Sequence, residues 1–176
     1  MELGCSGWAV PGLVANTLTR IYTIGHSRHP LAVLIDLLRQ QGIQTLADIR
    51  SIPASRRMPW FSRAPLAAAL TEVGIRYVWM GDRLGGKPRD AAVHGSDGEV
   101  DYAAVRATSR FQTGMELLEK TAAASSTAIM CAEEDPMHCH RWLLLGPAMA
   151  ERHMEVLHIR GDGRVESMAP VQNWLF

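Results

Sequence analysis

Apolar residues follow two rhythms along this chain. Short dense runs bounded by glycine or polar residues predict buried strands at residues 21–25, 45–50, 75–80, 127–131 and 155–160. Between them, apolar residues recur every three or four positions. Leu31, Leu34, Ile35, Leu37 and Leu38 form one face of a helix opened by Pro30 and ended at Gly42. Ser62 can cap a second helix, with Pro65 in its first turn and Gly74 at its end. Residues 101–124 read as a third helix broken near Ser109, and 139–153 as a fourth kinked at Pro147. Residues 81–98 read as loop, with Gly85-Gly86 and Pro88 as breakers, and Gly161-Asp162-Gly163 as a tight turn.

Strands alternating with helices predict an α/β fold: a three-layer, doubly wound, mostly parallel five-stranded sheet covered on both faces. Right-handed crossovers leave few strand orders, and 3-2-1-4-5 is the one expected here. That order sets the first and fourth strands side by side, with the chain leaving them in opposite directions. Their carboxyl ends then form the crevice in which such sheets bind ligands. One domain is expected over residues 21–176, after an N-terminal extension at 1–20.

The polar residues gather at that carboxyl edge. Gly25-His26-Ser27 follows the first strand, Asp48 and Arg50 end the second, and Cys131-Ala132-Glu133 ends the fourth. Residues 131–141 then run from a strand end to a helix start that would carry Cys139, His140 and Arg141. Unpaired N–H groups and the helix dipole at such a start favour an anion and a thiolate, and Arg141 could clamp a phosphate or carboxylate through two hydrogen bonds. A cysteine after a strand with an arginine at the next helix start is also the layout of phosphatase and rhodanese loops. Nine residues separate Cys131 from Arg141, too many for a phosphatase cradle. Cys131, Glu133, Cys139, His140 and His26 are therefore the catalytic candidates. Gly25, Ser27, Asp48, Arg50, Ser55, Arg56 and Arg141 are the candidates for holding a ligand. Against these stand plainer readings: a buried cysteine, a solvated acidic loop at Glu133-Glu134-Asp135, and core positions for Phe61 and His158.

Composition narrows the choice. Eighteen basic residues balance eighteen acidic ones, which argues against a protein that coats nucleic acid or membranes through excess positive charge. The balance is global, not local. Residues 49–71 contain no acid and four arginines, with Trp60 among them. Three cysteines do not describe a disulfide scaffold, the first nineteen residues lack a secretory signal, and no run approaches a membrane span. A cytoplasmic protein without a membrane partner is expected.

Thr23-Ile24-Gly25-His26-Ser27, the segment from Asp48 to Arg56, Leu84-Gly85-Gly86, Met130-Cys131-Ala132-Glu133 and Cys139-His140-Arg141, in this order, resemble the domain-of-unknown-function family 488 of bacteria and archaea. The likeness runs over roughly residues 21–163 and implies a small α/β protein with its site at these motifs, but no particular reaction. The leading expectation is an enzyme for a small phosphorylated or nucleotide-like anion, using a Cys/His/Arg site. A non-catalytic nucleotide or nucleic-acid binding module built on residues 50–63 is the second. A metal-dependent enzyme using Cys131, Cys139 and His140 is the third, although the Cys-x₇-Cys-His spacing is not that of a standard zinc knuckle and assigns no ligand by itself. The residues and the resemblance leave the cofactor open.

Overall fold

A computed structural model describes residues 18–167. Most of the expected N-terminal extension therefore lies outside the described residues, and Arg20 already belongs to the first strand. The strands are β1 (Arg20–Gly25), β2 (Thr45–Asp48), β3 (Arg76–Trp79), β4 (Thr127–Cys131), β5 (Glu155–Ile159) and β6 (Val165–Ser167). The helices are α1 (Leu31–Gln40), α2 (Arg63–Glu72), α3 (Gly81–Leu84), α4 (Tyr102–Ala107), α5 (Ser109–Ala124) and α6 (Gly146–Glu151).

The α/β class holds, but the sheet has six strands in the order β3-β2-β4-β1-β5-β6. The expected order 3-2-1-4-5 is corrected at its centre. β4 lies between β2 and β1, with Leu46 opposite Ala128 and Tyr22 opposite that same residue. β1 to β5 run parallel, and β6 folds back antiparallel on β5 after the turn at 161–163. The adjacency of β1 and β4 survives.

Two cores sandwich the sheet. On one face α1 sets Leu34, Leu37 and Leu38, and α2 sets Leu66 and Leu70, against Ile24, Leu46, Ala128, Met130 and Ile159. On the other, Phe111, Met115 and Leu118 of α5 and Ala148 and Met149 of α6 cover Ile21, Ala47, Ile129 and Val156. Each strand alternates its side chains between these layers. Both neighbours of β4 send the chain to the α1–α2 face, whereas β4 sends it to the α5–α6 face. The end of β4 is thus flanked on each side by a point where the connections diverge, which opens a crevice there.

Helix boundaries follow local chemistry. The expected break near Ser109 falls at Thr108, whose hydroxyl accepts the Phe111 N–H and caps α5. Thr108→Ala is expected to cost about 1 kcal/mol in urea unfolding, because that N–H loses its partner. The fourth helix differs more from expectation. Pro147 has no N–H and its ring crowds the preceding turn. The chain responds with a π-helical turn over Arg141–Leu145 before α6, rather than one kinked α-helix from residue 139. Residues 81–98, expected as loop, include the single turn α3, anchored by buried Leu84, and a 3₁₀ turn at Ala91–Val93. Among the described residues no helix is long and apolar enough to cross a membrane.

Candidate functional site

The segment after β4 folds over the end of β1. His26 N–H donates to the Cys131 carbonyl (3.0 Å) and Ser27 N–H to the Ala132 carbonyl (2.8 Å), extending the ladder beyond both strands. This approach requires Gly25. A Cβ there would lie 1.8 Å from the Glu133 carbonyl oxygen, inside any possible contact distance. Gly25 therefore shapes the site by its missing side chain.

Next to it lies a buried polar knot. Asp48, fully buried, accepts from Arg50 Nε (2.9 Å), Arg50 Nη2 (2.6 Å) and the Tyr77 hydroxyl (2.7 Å). Arg50 also donates to the Phe61 carbonyl (2.8 Å) and to His26 Nε2 (3.2 Å). His26 Nδ1 donates in turn to the Ser27 carbonyl (3.0 Å), and its ring stacks on Phe61 with centroids 4.4 Å apart. Burial, reinforced by the Arg50 charge, lowers the His26 pKa to about 4. Burial also raises the Tyr77 pKa, with Asp48 adding to it. His26 is thus a neutral ring with both nitrogens engaged, which suits it to hold Arg50 and Ser27 in place rather than to exchange protons. Phe61 takes the expected core position, while Trp60 stays 41% exposed.

Across β4 the two described cysteines meet. Both are buried thiols outside any disulfide, with Cys131 Sγ 3.0 Å from Cys139 Sγ. His140 Nδ1 faces both sulfurs, at 3.5 Å from Cys131 and 3.6 Å from Cys139. Its other nitrogen, Nε2, donates to the Ile49 carbonyl (3.2 Å), so Nδ1 presents a lone pair to the sulfurs. The hydrogen bond from Cys131 lowers the Cys139 pKa, and the Arg141 charge adds to it. The same bond, with burial, raises that of Cys131.

Arg141 is held by the protein itself. It is only 1% exposed. Its guanidinium donates to the Glu133 carbonyl, the Glu134 carbonyl (3.0 Å), Thr23 Oγ1 (3.4 Å) and Cys139 Sγ (3.4 Å). The expected anion position at a helix start is likewise taken. Cys139 is extended and lies before the helix, and its own sulfur accepts the Arg141 N–H (3.4 Å). Its donors are turned toward protein acceptors, so in this structure Arg141 fastens the loop.

A cavity of about 570 Å³ opens over this cluster. All five catalytic candidates, Cys131, Glu133, Cys139, His140 and His26, line it, as do Ser27, Arg50 and Ser55. Gly25, Asp48, Arg56 and Arg141 do not. Arg28, Ser51, Lys87, Tyr102 and His138 also line it, and none of them was among the site candidates read from the sequence. Arg28 had a usable signal, two residues beyond His26 at a strand end. Of the acidic loop, Glu134 is tied to Arg160 (2.8 Å), which holds its carboxyl below the ordinary range. Asp135 caps the turn at Pro136–His138.

No curated protein and no solved structure matches this chain. A family model does, over residues 30–146, a span that begins after the Gly25-His26-Ser27 motif but takes in Asp48, Arg50, both buried cysteines and His140. With most of its length matched, the chain belongs to the family described as domain of unknown function DUF488.

Proposed function

We propose that this protein is a cytoplasmic enzyme that takes a small anionic substrate, phosphorylated or nucleotide-like, into the cavity at the carboxyl edge of the sheet. The Cys131–Cys139–His140 centre supplies the chemistry. One observation carries this reading: a sulfur–imidazole cluster at the base of a cavity whose lining includes Arg28, Lys87 and Arg50, with Glu133 the one acidic residue among the described ones lining it. Such a balance lowers the energy of an anion within it. Arg28 and Lys87 are exposed, with their charged ends available to a ligand. Arg50 is committed to Asp48, whose charge offsets its own, so Arg28 and Lys87 carry the attraction. Glu133 reaches the same cavity and is the proposed proton carrier. Three cysteines, an odd count that describes no disulfide scaffold, suit a reducing compartment.

Binding of phosphate monoesters and nucleoside monophosphates, followed by calorimetry, tests this. Arg28→Ala and Lys87→Ala are each expected to weaken binding by about tenfold, the worth of one charge-assisted hydrogen bond, and added salt should weaken the wild type more than either variant. Equal affinity in the wild type and the double variant would sink the proposal.

A further inference from the structure

The reading above leaves open what the cluster does to a substrate. The geometry points to a metal centre: we propose that Cys131 Sγ, Cys139 Sγ and His140 Nδ1 bind a zinc-class divalent ion whose fourth coordination position opens on the cavity. That the fourth position receives substrate rests on the proposed anionic-substrate site; the binding of the ion does not.

Four observations converge on it. First, the donor set is right. Two thiolates and one imidazole are soft-to-borderline ligands suited to zinc, and three protein ligands with an open position mark a catalytic rather than a structural site. Second, the spacing fits. Zinc bonds of about 2.3 Å to sulfur and about 2.0–2.1 Å to nitrogen, at tetrahedral angles, set sulfur and nitrogen about 3.6 Å apart and the two sulfurs about 3.8 Å apart. The two sulfur–nitrogen separations here are 3.5 and 3.6 Å. The sulfurs, at 3.0 Å, need only part by rotation about their side chains, with the ion displacing their thiol protons. All three donor atoms already lie within 4.8 Å of one another.

Third, the supporting contacts are built. Metal-binding histidines usually donate their remote N–H to a carbonyl or carboxylate, which fixes the ring and the tautomer. His140 Nε2 does so to Ile49, leaving Nδ1 as the ligand atom. Gly86 packs against the same ring, and a Cβ there would stand 2.7 Å from His140 Cβ and Cγ and 3.1 Å from Nδ1. Gly86 of the Leu84-Gly85-Gly86 motif is thereby explained as a steric seat for His140, while Gly85 packs against Ser51 and the Gly81 carbonyl. Arg141 donates to Cys139 Sγ through its backbone N–H and Nε, holding that sulfur in position. Fourth, Cys131, Cys139 and His140 all line the cavity, so the side away from the protein is accessible to a small molecule.

The experiment is metal replacement on the full chain, purified under reducing conditions and exchanged into cobalt. The expected result is one ion per chain by elemental analysis, with sulfur-to-cobalt charge-transfer absorption and the intense visible bands of tetrahedral cobalt. Cys131→Ser and Cys139→Ser should each abolish the charge-transfer spectrum or halve it, and His140→Gln should shift the visible bands, with circular dichroism checking that each variant folds. Gly86→Ala, which alters no ligand, should weaken cobalt affinity by about tenfold or more through the displaced ring. Inorganic phosphate should perturb the visible bands if the fourth position opens on the cavity. Less than about a tenth of an ion per wild-type chain, in protein whose two thiols are shown to be reduced, overturns the metal centre outright. A bound ion blind to phosphate overturns the open position. Neither outcome touches the anionic-substrate reading, which the Arg28 and Lys87 variants test on metal-free protein.

Discussion

Acidification from about pH 6.5 to about pH 4 is expected to strip several kcal/mol from the stability of the fold, through two histidines buried as neutral rings. His26 is 3% exposed and His158 4% exposed. Burial, assisted by Arg50 for His26 and by Arg141 and Arg160 for His158, lowers each pKa to about 4. His158 Nδ1 bonds Thr23 Oγ1 at 2.7 Å, while its Nε2 is buried without a hydrogen-bond partner. A proton added there would create a cation beside two arginines with nothing to receive the new N–H. In the unfolded chain both rings titrate near 6.5. Below that pH the unfolded state takes up protons that the folded state refuses, so each unit of acidification favours unfolding. The loss is complete near pH 4, where the folded rings also protonate. It amounts to about 3 kcal/mol per ring at the limit. Urea midpoints measured between pH 7 and 5, above the range in which ordinary carboxylates titrate, check this. The wild type should lose stability with a slope approaching two protons, and His158→Leu with a slope nearer one. A flat profile over that interval would show that the rings are not held neutral.

The same histidines show what the sequence could and could not reveal. His158 between Leu157 and Ile159 read as core, and it is core. Nothing in the sequence said that one of its nitrogens would go unpartnered, since that depends on Thr23 from the neighbouring strand. The strand order failed for a related reason. β2 and β4 are buried along their whole length, so neither carries an alternating pattern that would choose its neighbour. Both 3-2-1-4-5 and the observed order obey the handedness rule, and only side-chain fit across the buried sheet separates them. β6 is a three-residue edge strand, too short for periodicity to register. By contrast, the strand ends were legible, because a buried run followed by His, Cys or Asp declares its own carboxyl terminus. That is why all five catalytic candidates reached one cavity, and why Arg28 and Lys87, carried on irregular chain, were missed.

Arg141→Leu is expected to destabilise the protein by about 3 kcal/mol or more, and this single substitution separates two readings that the sequence held together. An arginine beside a cysteine at a helix start has the chemistry of an anion clamp. Its surroundings give it a different task. Four acceptors surround it: two carbonyls of the segment that crosses Gly25, the Thr23 hydroxyl and the Cys139 sulfur. Leucine replaces only the aliphatic stem and leaves these acceptors buried and unpaired, each at a cost of about 1–3 kcal/mol less whatever relaxation recovers. A lysine cannot replace the planar fork that reaches both carbonyls at once, so Arg141→Lys should regain only part of the loss. The loop from Cys131 to Cys139 should also loosen, and a disulfide reagent should reach the two thiols faster in either variant. A clamp would behave in the opposite way. Its loss would leave the urea midpoint near that of the wild type and act on anion affinity alone, as Arg28→Ala is expected to do. Measuring stability, thiol reactivity and phosphate binding on Arg141→Leu and Arg28→Ala side by side therefore assigns the two arginines independently. A stable Arg141→Leu protein with weakened anion binding would return Arg141 to the ligand and remove it from the loop.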